Sequence, residues 1–465
     1  MGADDELLAA LRAAGQDHVA GRLAVLSPPA RAALRADLAA IDLPLLAEIR
    51  ALIDAAAAGP GGGSFAPPEV FPLRRTAAQA EEARRAAAEG ERLLAAGRVG
   101  FVTVAGGQAS RLGFDAPKGI FPVGPVTGRP LFAVHARRLC RVAARYGVRT
   151  PWYVMTSPAN DAATREIFAA HDWFGIPPAD VFLFPQGMLP ALGEDGRLLF
   201  AAPDRLFRAP DGHGGVLRGL RRAGALDDMR ARGLEELSYF QVDNPLVRPA
   251  DPLFLGLHHH AGAEMSSKAV AKRDPGEKVG VLGRRNGRLS CIEYSDLPAP
   301  LREARDPDGR LRFGAGNIAM HVLRVDFLGA ITAGDLFLPW HVARKKMRVV
   351  DERGRAAEVT GCKFESFVFD ALERARASVV LEVDRALEFS PVKSAAGEDS
   401  PATVRRDLCA LYAGWAEAAG LPLPPPDAAG NHPVEVDPLL AETREEFLAS
   451  PGRRLRVCEG GHLYE

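Results

Sequence analysis

Apolar positions along the middle of the chain fall into two alternating patterns. Residues 99–104, 152–156, 181–184 and 239–242 are near-continuous apolar runs of strand length, and such runs read as buried strands. Between them, residues 131–146, 162–171 and 215–222 carry helical spacing. Strands alternating with helices predict a parallel or mixed α/β sheet whose ligands gather at the strand C-termini. Upstream, helical periodicity runs to about Ala58, with start signals at Ser27-Pro28-Pro29 and Asp42-Leu43-Pro44. The apolar stripe of these helices suits either a sheet face or an oligomer contact. A charged helix is predicted over 76–96, and a second, β-richer stretch over 279–325.

Glycine and proline punctuate this order. Gly59-Pro-Gly-Gly-Gly-Ser64 reads as a flexible joint, and Leu421-Pro-Leu-Pro-Pro-Pro426 as a linker to a block too small for its own core. The expected division is a helical N-terminal region, 1–65, an α/β domain, 66–385, and a small C-terminal domain, 386–465.

Composition narrows the class. A chain of 465 residues exceeds one ordinary core. Its 58 basic and 59 acidic residues leave a net charge of −1, which argues against a nucleic-acid surface. The five cysteines are scattered and free of CxxC spacing, so they read as reduced thiols. No apolar run is long enough to span a membrane, and the acidic start lacks a basic n-region. A cytoplasmic protein without membrane or nucleic-acid partners is expected, either a monomer or a weak homo-oligomer. Only eight of the basic residues are lysines. Lys118 and Lys393, in loops, therefore stand out, whereas Lys345-Lys346 suits a solvated face.

The chemistry concentrates in Val102-Thr-Val-Ala-Gly-Gly-Gln-Ala-Ser-Arg-Leu-Gly113, closed by Pro117-Lys118-Gly119. A strand ends there in Gly106 and Gly107, where backbone N–H groups can approach a phosphate or base closely. Arg111 and Lys118 add two cations within the same loop. The segment is not a Walker A loop, and it lacks the third glycine of the dinucleotide fingerprint. Further along, Gln186 follows a strand, and a carboxamide donates and accepts at once, as a uracil edge requires. Ala209-Pro-Asp-Gly-His-Gly-Gly215 is a turn into a helix, with His213 placed to hydrogen-bond a substrate. Asp243 ends a strand in Val242-Asp-Asn244, a position suited to magnesium beside phosphate oxygens. His258-His259-His260 cannot all face one ion and is expected at the surface.

These motifs resemble the UDP-sugar pyrophosphorylase superfamily, and among them the eukaryotic-type UDP-N-acetylhexosamine pyrophosphorylases. The resemblance runs from about Phe71 to Leu408 through seven ordered blocks. Besides the nucleotide loop these are Phe184-Pro-Gln-Gly-Met-Leu-Pro190, Ala209-Pro-Asp-Gly-His-Gly-Gly215, Val242-Asp-Asn244, Gly314-Ala-Gly-Asn-Ile-Ala319, Phe367-Val-Phe-Asp370 and Glu388-Phe-Ser-Pro-Val-Lys393. A weaker echo lies at Val434-Glu-Val-Asp-Pro-Leu-Leu440.

The resemblance implies a Rossmann-like nucleotidyltransferase core of glycosyltransferase-A type and a Mg²⁺-assisted reaction of UTP with a sugar-1-phosphate, giving a UDP-sugar and pyrophosphate. It implies that Gly106 and Gly107 face the nucleotide, that Arg111 holds the departing phosphates, and that Lys118 and Lys393 approach the reacting phosphates. Asp243 would ligate magnesium. Gln186, Pro210 and Gly212 would read the uracil, while Gly280, Glu293 and Asn317 would hold the sugar. Phe367 and Phe369, two apart on a predicted strand, would wall an N-acetyl pocket from one face.

Two departures from the family pattern stand out, the first bearing on loop freedom and activity, the second on the sugar. Ala109-Ser110 replaces the usual Gly-Thr, and His213 stands where the N-acetylhexosamine enzymes carry Asn. A Gly-His-Gly turn is similar instead to UDP-glucose pyrophosphorylases. The phenylalanines favour N-acetylglucosamine-1-phosphate, the main expectation, and His213 favours glucose-1-phosphate, the alternative, which would make the product UDP-glucose. A catalytically silent nucleotide-sugar sensor is the reading from another class, opposed by the retention of every charged group; a nicotinamide-dependent dehydrogenase lacks its glycine and its acidic ribose clamp.

Overall fold

The computed structural model describes residues 3–57, 63–334, 338–351 and 354–465. The chain forms two compact units, each assembled from separated segments. The larger comprises Gly63–Pro185, Gly219–Asp335 and Ala371–Glu465; the smaller comprises Met1–Gly62, Gln186–Arg218 and Leu336–Asp370. This grouping cuts across the sequential blocks 1–65, 66–385 and 386–465. Most of the glycine-rich joint at 59–64 lies outside the described residues.

The larger unit is built on a ten-stranded mixed sheet. Strands Glu236–Gln241, Val99–Val104, Trp152–Thr156 and Val181–Pro185 lie side by side and parallel, in the register Gln241 to Val104 to Met155 to Phe184. Their C-termini therefore share one edge of the sheet. Ala315–Arg324 runs antiparallel to Glu236–Gln241 and pairs with Met265–Ala271 and Val281–Arg285. Being antiparallel, it delivers its N-terminal part, with Asn317, toward that same edge. The apolar runs form strands because both faces are covered: Val99, Phe101 and Val102 are buried, as is Trp152, whose indole N–H donates to Thr103 Oγ1 at 2.7 Å.

Helix Leu131–Tyr146 and helix Ala77–Ala95 match the spans expected from their periodicity. The second starts at Thr76 in a reciprocal cap with Gln79. It packs against helix Pro252–His260 at backbone contact. A Cβ on Gly90 would stand 1.9 Å from Pro252 O, and one on Gly256 would stand 1.6 Å from Ala86 O. His258, expected at the surface, is a correction: it is buried in this helix, with Nδ1 at 2.7 Å from Ser266 Oγ and Nε2 at 3.0 Å from Glu236 Oε2. The helix turns one of three consecutive histidines inward, where Ser266 Oγ meets one ring nitrogen and the Glu236 carboxylate lies beside the other.

The C-terminal strands Val434–Val436, Leu455–Cys458 and Gly461–Tyr464 form a small sheet that has no core of its own. Val434, Val436, Phe447 and Tyr464 join the main core of the larger unit. Glu435 and Asp437 fasten it. Glu435 accepts from the N–H groups of Val126 and Thr127 at 3.0 and 2.9 Å, and Arg129 and Arg137 hold Asp437 at 3.0 and 2.7 Å.

In the smaller unit the antiparallel pair His341–Val350 and Ala356–Glu365 extends to Leu192–Gly193. The N-terminal helices cover these strands: Leu11, Val19, Leu34 and Ile49 share a core with Leu198, Phe200, Trp340 and Phe364. The N-terminal stripe thus meets strands of its own chain. Helix Pro28–Ala39 begins after Ser27, and Asp42 Oδ1 accepts the Leu45 N–H at 3.0 Å ahead of the next helix, as the start signals predicted. No helix among the described residues is long and apolar enough to cross a membrane.

Candidate active site

In the larger unit, the loop after Val99–Val104 folds back on itself. Lys118 N–H donates to Gly107 O at 3.1 Å, and Ala109 N–H to Ala116 O at 3.1 Å. Gly113 closes the intervening turn in the left-handed region, at φ 72°. Gly107 is exposed, and a Cβ there would meet nothing within 4 Å. Neither packing nor a left-handed φ requires glycine at 107, so its bareness leaves room for a ligand. Arg111 is exposed and makes no hydrogen bond or ion pair among the described residues.

Three remote segments meet at Lys118. Its Nζ donates to Val392 O at 3.1 Å and lies 3.5 Å from Asp243 Oδ2. Val392 N–H donates to Asp243 O at 2.9 Å. Asn244 continues the clamp, donating to Glu388 O at 2.7 Å and accepting from Ser390 N–H at 3.1 Å. Beneath this, fully buried Lys268 bridges Glu388 Oε2 at 2.5 Å and Asp251 Oδ2 at 2.7 Å. Lys393, next along the clamped segment, lies 3.9 Å from Asp399 Oδ2, and its N–H donates to Asp399 O at 2.7 Å. Burial raises the Asp399 carboxyl above its ordinary range; Lys393 opposes that rise and the charge of Asp243 adds to it. The cluster therefore holds two lysines and two carboxylates.

The sugar candidates also converge. Asn317 N–H donates to Gly280 O at 2.8 Å. A Cβ on Gly280 would stand 2.9 Å from Cys291 Sγ and 3.6 Å from Glu293 Oε1. Asn317 donates to Cys291 Sγ at 3.5 Å and accepts the N–H of Ala319, a non-glycine residue held at φ 54°. That contact fixes the carboxamide against its own strand.

The smaller unit contains the remaining candidates. Gln186 is buried, and its carboxamide makes no hydrogen bond among the described residues. The turn after Pro210 is locked: Ser366 N–H donates to Asp211 O at 2.8 Å and Gly214 N–H to Ser366 O at 2.8 Å. Gly212 has φ 81°, and a Cβ there would lie 2.4 Å from Ser366 O. His213 Nδ1 accepts the Val368 N–H at 3.2 Å, which leaves the ring hydrogen on Nε2. Burial, with the neighbouring His341 charge, pushes its pKa down to about 4, so the ring is a neutral donor.

Phe367 and Phe369 depart from expectation. The strand ends at Glu365, and Phe369 sits in a 3₁₀ turn, Val368–Glu373. The rings still meet, with centroids 5.1 Å apart, because the turn folds them together. Phe367 stacks on His213 at 5.1 Å and on His341 at 4.4 Å, and His341 Nε2 lies 2.8 Å from Asp370 Oδ2. The histidine and the phenylalanines, which pointed to different sugars in the sequence, form one aromatic cluster.

A family model described as UTP–glucose-1-phosphate uridylyltransferase matches residues 70–414. The chain belongs to that family. UDP-N-acetylhexosamine pyrophosphorylase-like protein 1 of Homo sapiens is 37% identical over 480 residues, covering 96% of this chain and 94% of the human protein. UDP-N-acetylglucosamine pyrophosphorylase of Saccharomyces cerevisiae is 37% identical over 337 residues, 70% of this chain and 71% of the yeast protein. The crystal structure of the uridine diphosphate N-acetylglucosamine pyrophosphorylase from Trypanosoma brucei aligns with a TM-score of 0.82 at 27% identity, covering 97% of this chain and 95% of that one. The family membership and the nucleotidyltransferase fold expected from the motif blocks are therefore both present.

Lys268 and Asp399 escaped the sequence reading, as did the clamping role of Asn244 within the Val242–Asn244 block. The rarity of lysine, which singled out Lys118 and Lys393, applied equally to Lys268, but no motif block contains it. Asp399 lay in an acidic, solvated-looking loop, and only the fold brings it to Lys393.

Proposed function

We propose that this protein is a uridylyltransferase that joins UTP to N-acetylglucosamine-1-phosphate, releasing pyrophosphate. The observation that carries the reading is the convergence of Lys118, Asp243 and the Val392–Lys393 backbone at the C-terminal edge of the parallel strands. Three chain-remote segments there bring cations and a carboxylate together beside a bare glycine turn. The sugar phosphate oxygen attacks the α-phosphorus of UTP in line, and the pyrophosphate leaves without a covalent enzyme intermediate. Orientation and charge neutralisation are then the protein's contributions. Lys118 and Lys393 act on the reacting phosphates, and Arg111, unpaired and exposed, on the departing ones. Gly106 and Gly107 present backbone to the nucleotide.

Gln186, Pro210 and Gly212 are assigned to the uracil; the buried, unpartnered carboxamide of Gln186 supports this. Gly280, Glu293 and Asn317 are assigned to the sugar, with Phe367 and Phe369 walling its acetyl group. His213 supplies an Nε2–H donor beside those rings. Magnesium is the proposed cofactor. Asp243, with the Asp399 charge acting on the same cluster, would offer the hard oxygen donors such an ion takes, each carboxylate having a lysine, at 3.5 and 3.9 Å. When bound, the ion neutralises phosphate charge.

Location in the cytoplasm is likewise part of the proposal. Pyrophosphate release from UTP and Mg²⁺, measured in parallel with N-acetylglucosamine-1-phosphate and glucose-1-phosphate, tests the reading. Preference for the acetamido sugar is expected. Preference for glucose-1-phosphate makes the Gly-His-Gly turn the better reporter and the product UDP-glucose. Release with neither sugar, alongside UTP-dependent thermal protection, replaces the enzyme with a nucleotide-sugar sensor.

A further inference from the structure

The strand Ala315–Arg324 breaks its ladder in the middle. Its C-terminal half pairs with Glu236–Gln241 as far as His321, opposite Tyr239. Beyond the break it pairs with Val281, opposite Gly316. The register with Met265–Ala271 shifts at the same place: Ser267 faces His321, but Ala269 faces Asn317. Residues 318–320 therefore oppose Lys268 alone, which makes the segment a β-bulge, a device that re-aims side chains. Ile318 and Met320 are both buried in the main core, and the half-buried Ala319 between them absorbs the excess at φ 54°. Among the described residues it is the only non-glycine inside a strand with a positive φ.

An alanine in the left-handed region is sterically disfavoured, and such a conformation persists only where its surroundings hold it. What it achieves here is an orientation. The Ala319 N–H points at the Asn317 side chain, 3.0 Å away. A backbone N–H only donates, so the atom facing it is the carboxamide oxygen, and Nδ2 lies on the other side. One Nδ2 hydrogen is directed at Cys291 Sγ, a weak acceptor 3.5 Å away, and the other has no partner among the described residues. The backbone of Asn317 is held as well, its N–H donating to Gly280 O at 2.8 Å. Asn317 is half-buried, so that open N–H stands at the surface Asn317 shares with Gly280.

We propose that Ala319 is a positioning residue for the sugar site: its left-handed backbone turns the Asn317 carboxamide so that a fixed, open N–H meets the sugar. Ala319 acts through Asn317 and not on the substrate itself. The polarity it sets selects a sugar phosphate that carries a hydrogen-bond acceptor at this point, as an acetamido carbonyl does. The ammonium group of an unacetylated amino sugar only donates, and it would face a donor. The assignment rests on the proposed uridylyltransferase reading, and the measurements below separate the failure of one from the failure of the other.

Three variants are compared with the parent by steady-state kinetics and thermal unfolding, using UTP with N-acetylglucosamine-1-phosphate or glucosamine-1-phosphate. Ala319→Gly accepts the left-handed backbone, so it should keep the parental sugar KM and unfold at or above the parental temperature. Ala319→Val, β-branched and disfavoured there, should raise the KM for N-acetylglucosamine-1-phosphate about tenfold and leave the KM for UTP unchanged. Asn317→Asp keeps an oxygen for the Ala319 N–H but replaces the open donor by an acceptor. Its preference for the acetamido sugar over glucosamine-1-phosphate should fall about tenfold or more. A parental sugar KM in Ala319→Val, an equal rise in both KM values, or a raised sugar KM in Ala319→Gly overturns the positioning role. If Ala319→Val does not fold, the other two variants still decide, since an unchanged preference in Asn317→Asp overturns the polarity. A parent that releases no pyrophosphate with either sugar refutes the uridylyltransferase reading instead. Calorimetric binding of UDP-N-acetylglucosamine then reads the same variants, and no binding by the parent overturns the assignment too.

Discussion

A single buried side chain can be read for both its chemistry and its structural cost. Lys118 is half-buried and touches Asp243 and Val392 O, yet it carries little of the core. Lys118→Ala should therefore lower kcat by about 100-fold or more, the usual loss when a group that stabilises developing charge is removed. Thermal unfolding should stay close to the parent; near-normal turnover in a folded variant would take Lys118 out of the reaction. Phe369 is different, because it is buried against Phe367 and His213. Phe369→Ala should cost stability, about 3–5 kcal/mol by analogy with other buried aromatic truncations. Its diagnostic effect is on selectivity. The ratio of kcat/KM for N-acetylglucosamine-1-phosphate over glucose-1-phosphate should fall, and equal losses for both sugars would return Phe369 to a packing role alone.

Among the elements, the crossing of helices Ala77–Ala95 and Pro252–His260 has the least tolerance. With a Cβ on Gly256 only 1.6 Å from a backbone carbonyl, Gly256→Ala must push the helices apart. A loss of about 1–3 kcal/mol is expected from such overpacking, and urea denaturation measures it directly. Helix Leu131–Tyr146 makes a different commitment through His135. This ring is fully buried, its Nε2 2.9 Å from Val242 O, and burial, helped by Arg138, drives its pKa down to about 3 against the Val242 contact. The folded state thus keeps His135 neutral while the unfolded chain takes up a proton below about pH 6.5. Stability contributed by the neutral ring is complete above pH 6.5 and falls as pH drops toward 3, at about 1.4 kcal/mol per pH unit for one proton. His213, pushed down to about 4, acts in the same direction over a narrower window. Urea midpoints should be lower at pH 5 than at pH 7, and His213→Asn should flatten the dependence; a midpoint independent of pH between these values contradicts both assignments.

The larger unit, taken as a whole, depends on its last residues. Val434, Val436, Phe447 and Tyr464 are part of the same core as the strand Val99–Val104, and Glu435 and Asp437 anchor the loop that feeds helix Leu131–Tyr146. Ending the chain before Val434 should uncover apolar surface and leave Arg129 and Arg137 without their carboxylates. An aggregated or unfolded product by gel filtration and circular dichroism is expected. A folded, monodisperse truncation would show that the C-terminal sheet is only an appendage.

Sequence alone determined what local physics can encode. Continuous apolar runs gave the parallel strands, because strands buried on both faces need no alternation. Helical spacing with caps gave helices such as Leu131–Tyr146, and the bare glycines with their flanking cations marked the loop that meets Asp243 and Val392. Ordered motif blocks carried the family. The rest depended on which remote segments meet. No local pattern says that Asp399 lies beside Lys393, that Lys268 bridges Asp251 and Glu388, or that His258 turns inward to Glu236. Phe367 and Phe369 meet through a turn where the sequence suggested a strand, since their aromatic character survives a change of backbone but the strand does not survive past Glu365. His213 and the phenylalanines looked like independent witnesses to the sugar until the fold stacked them together. Side-chain chemistry is written residue by residue, whereas burial, partners and protonation arise only when the chain closes upon itself.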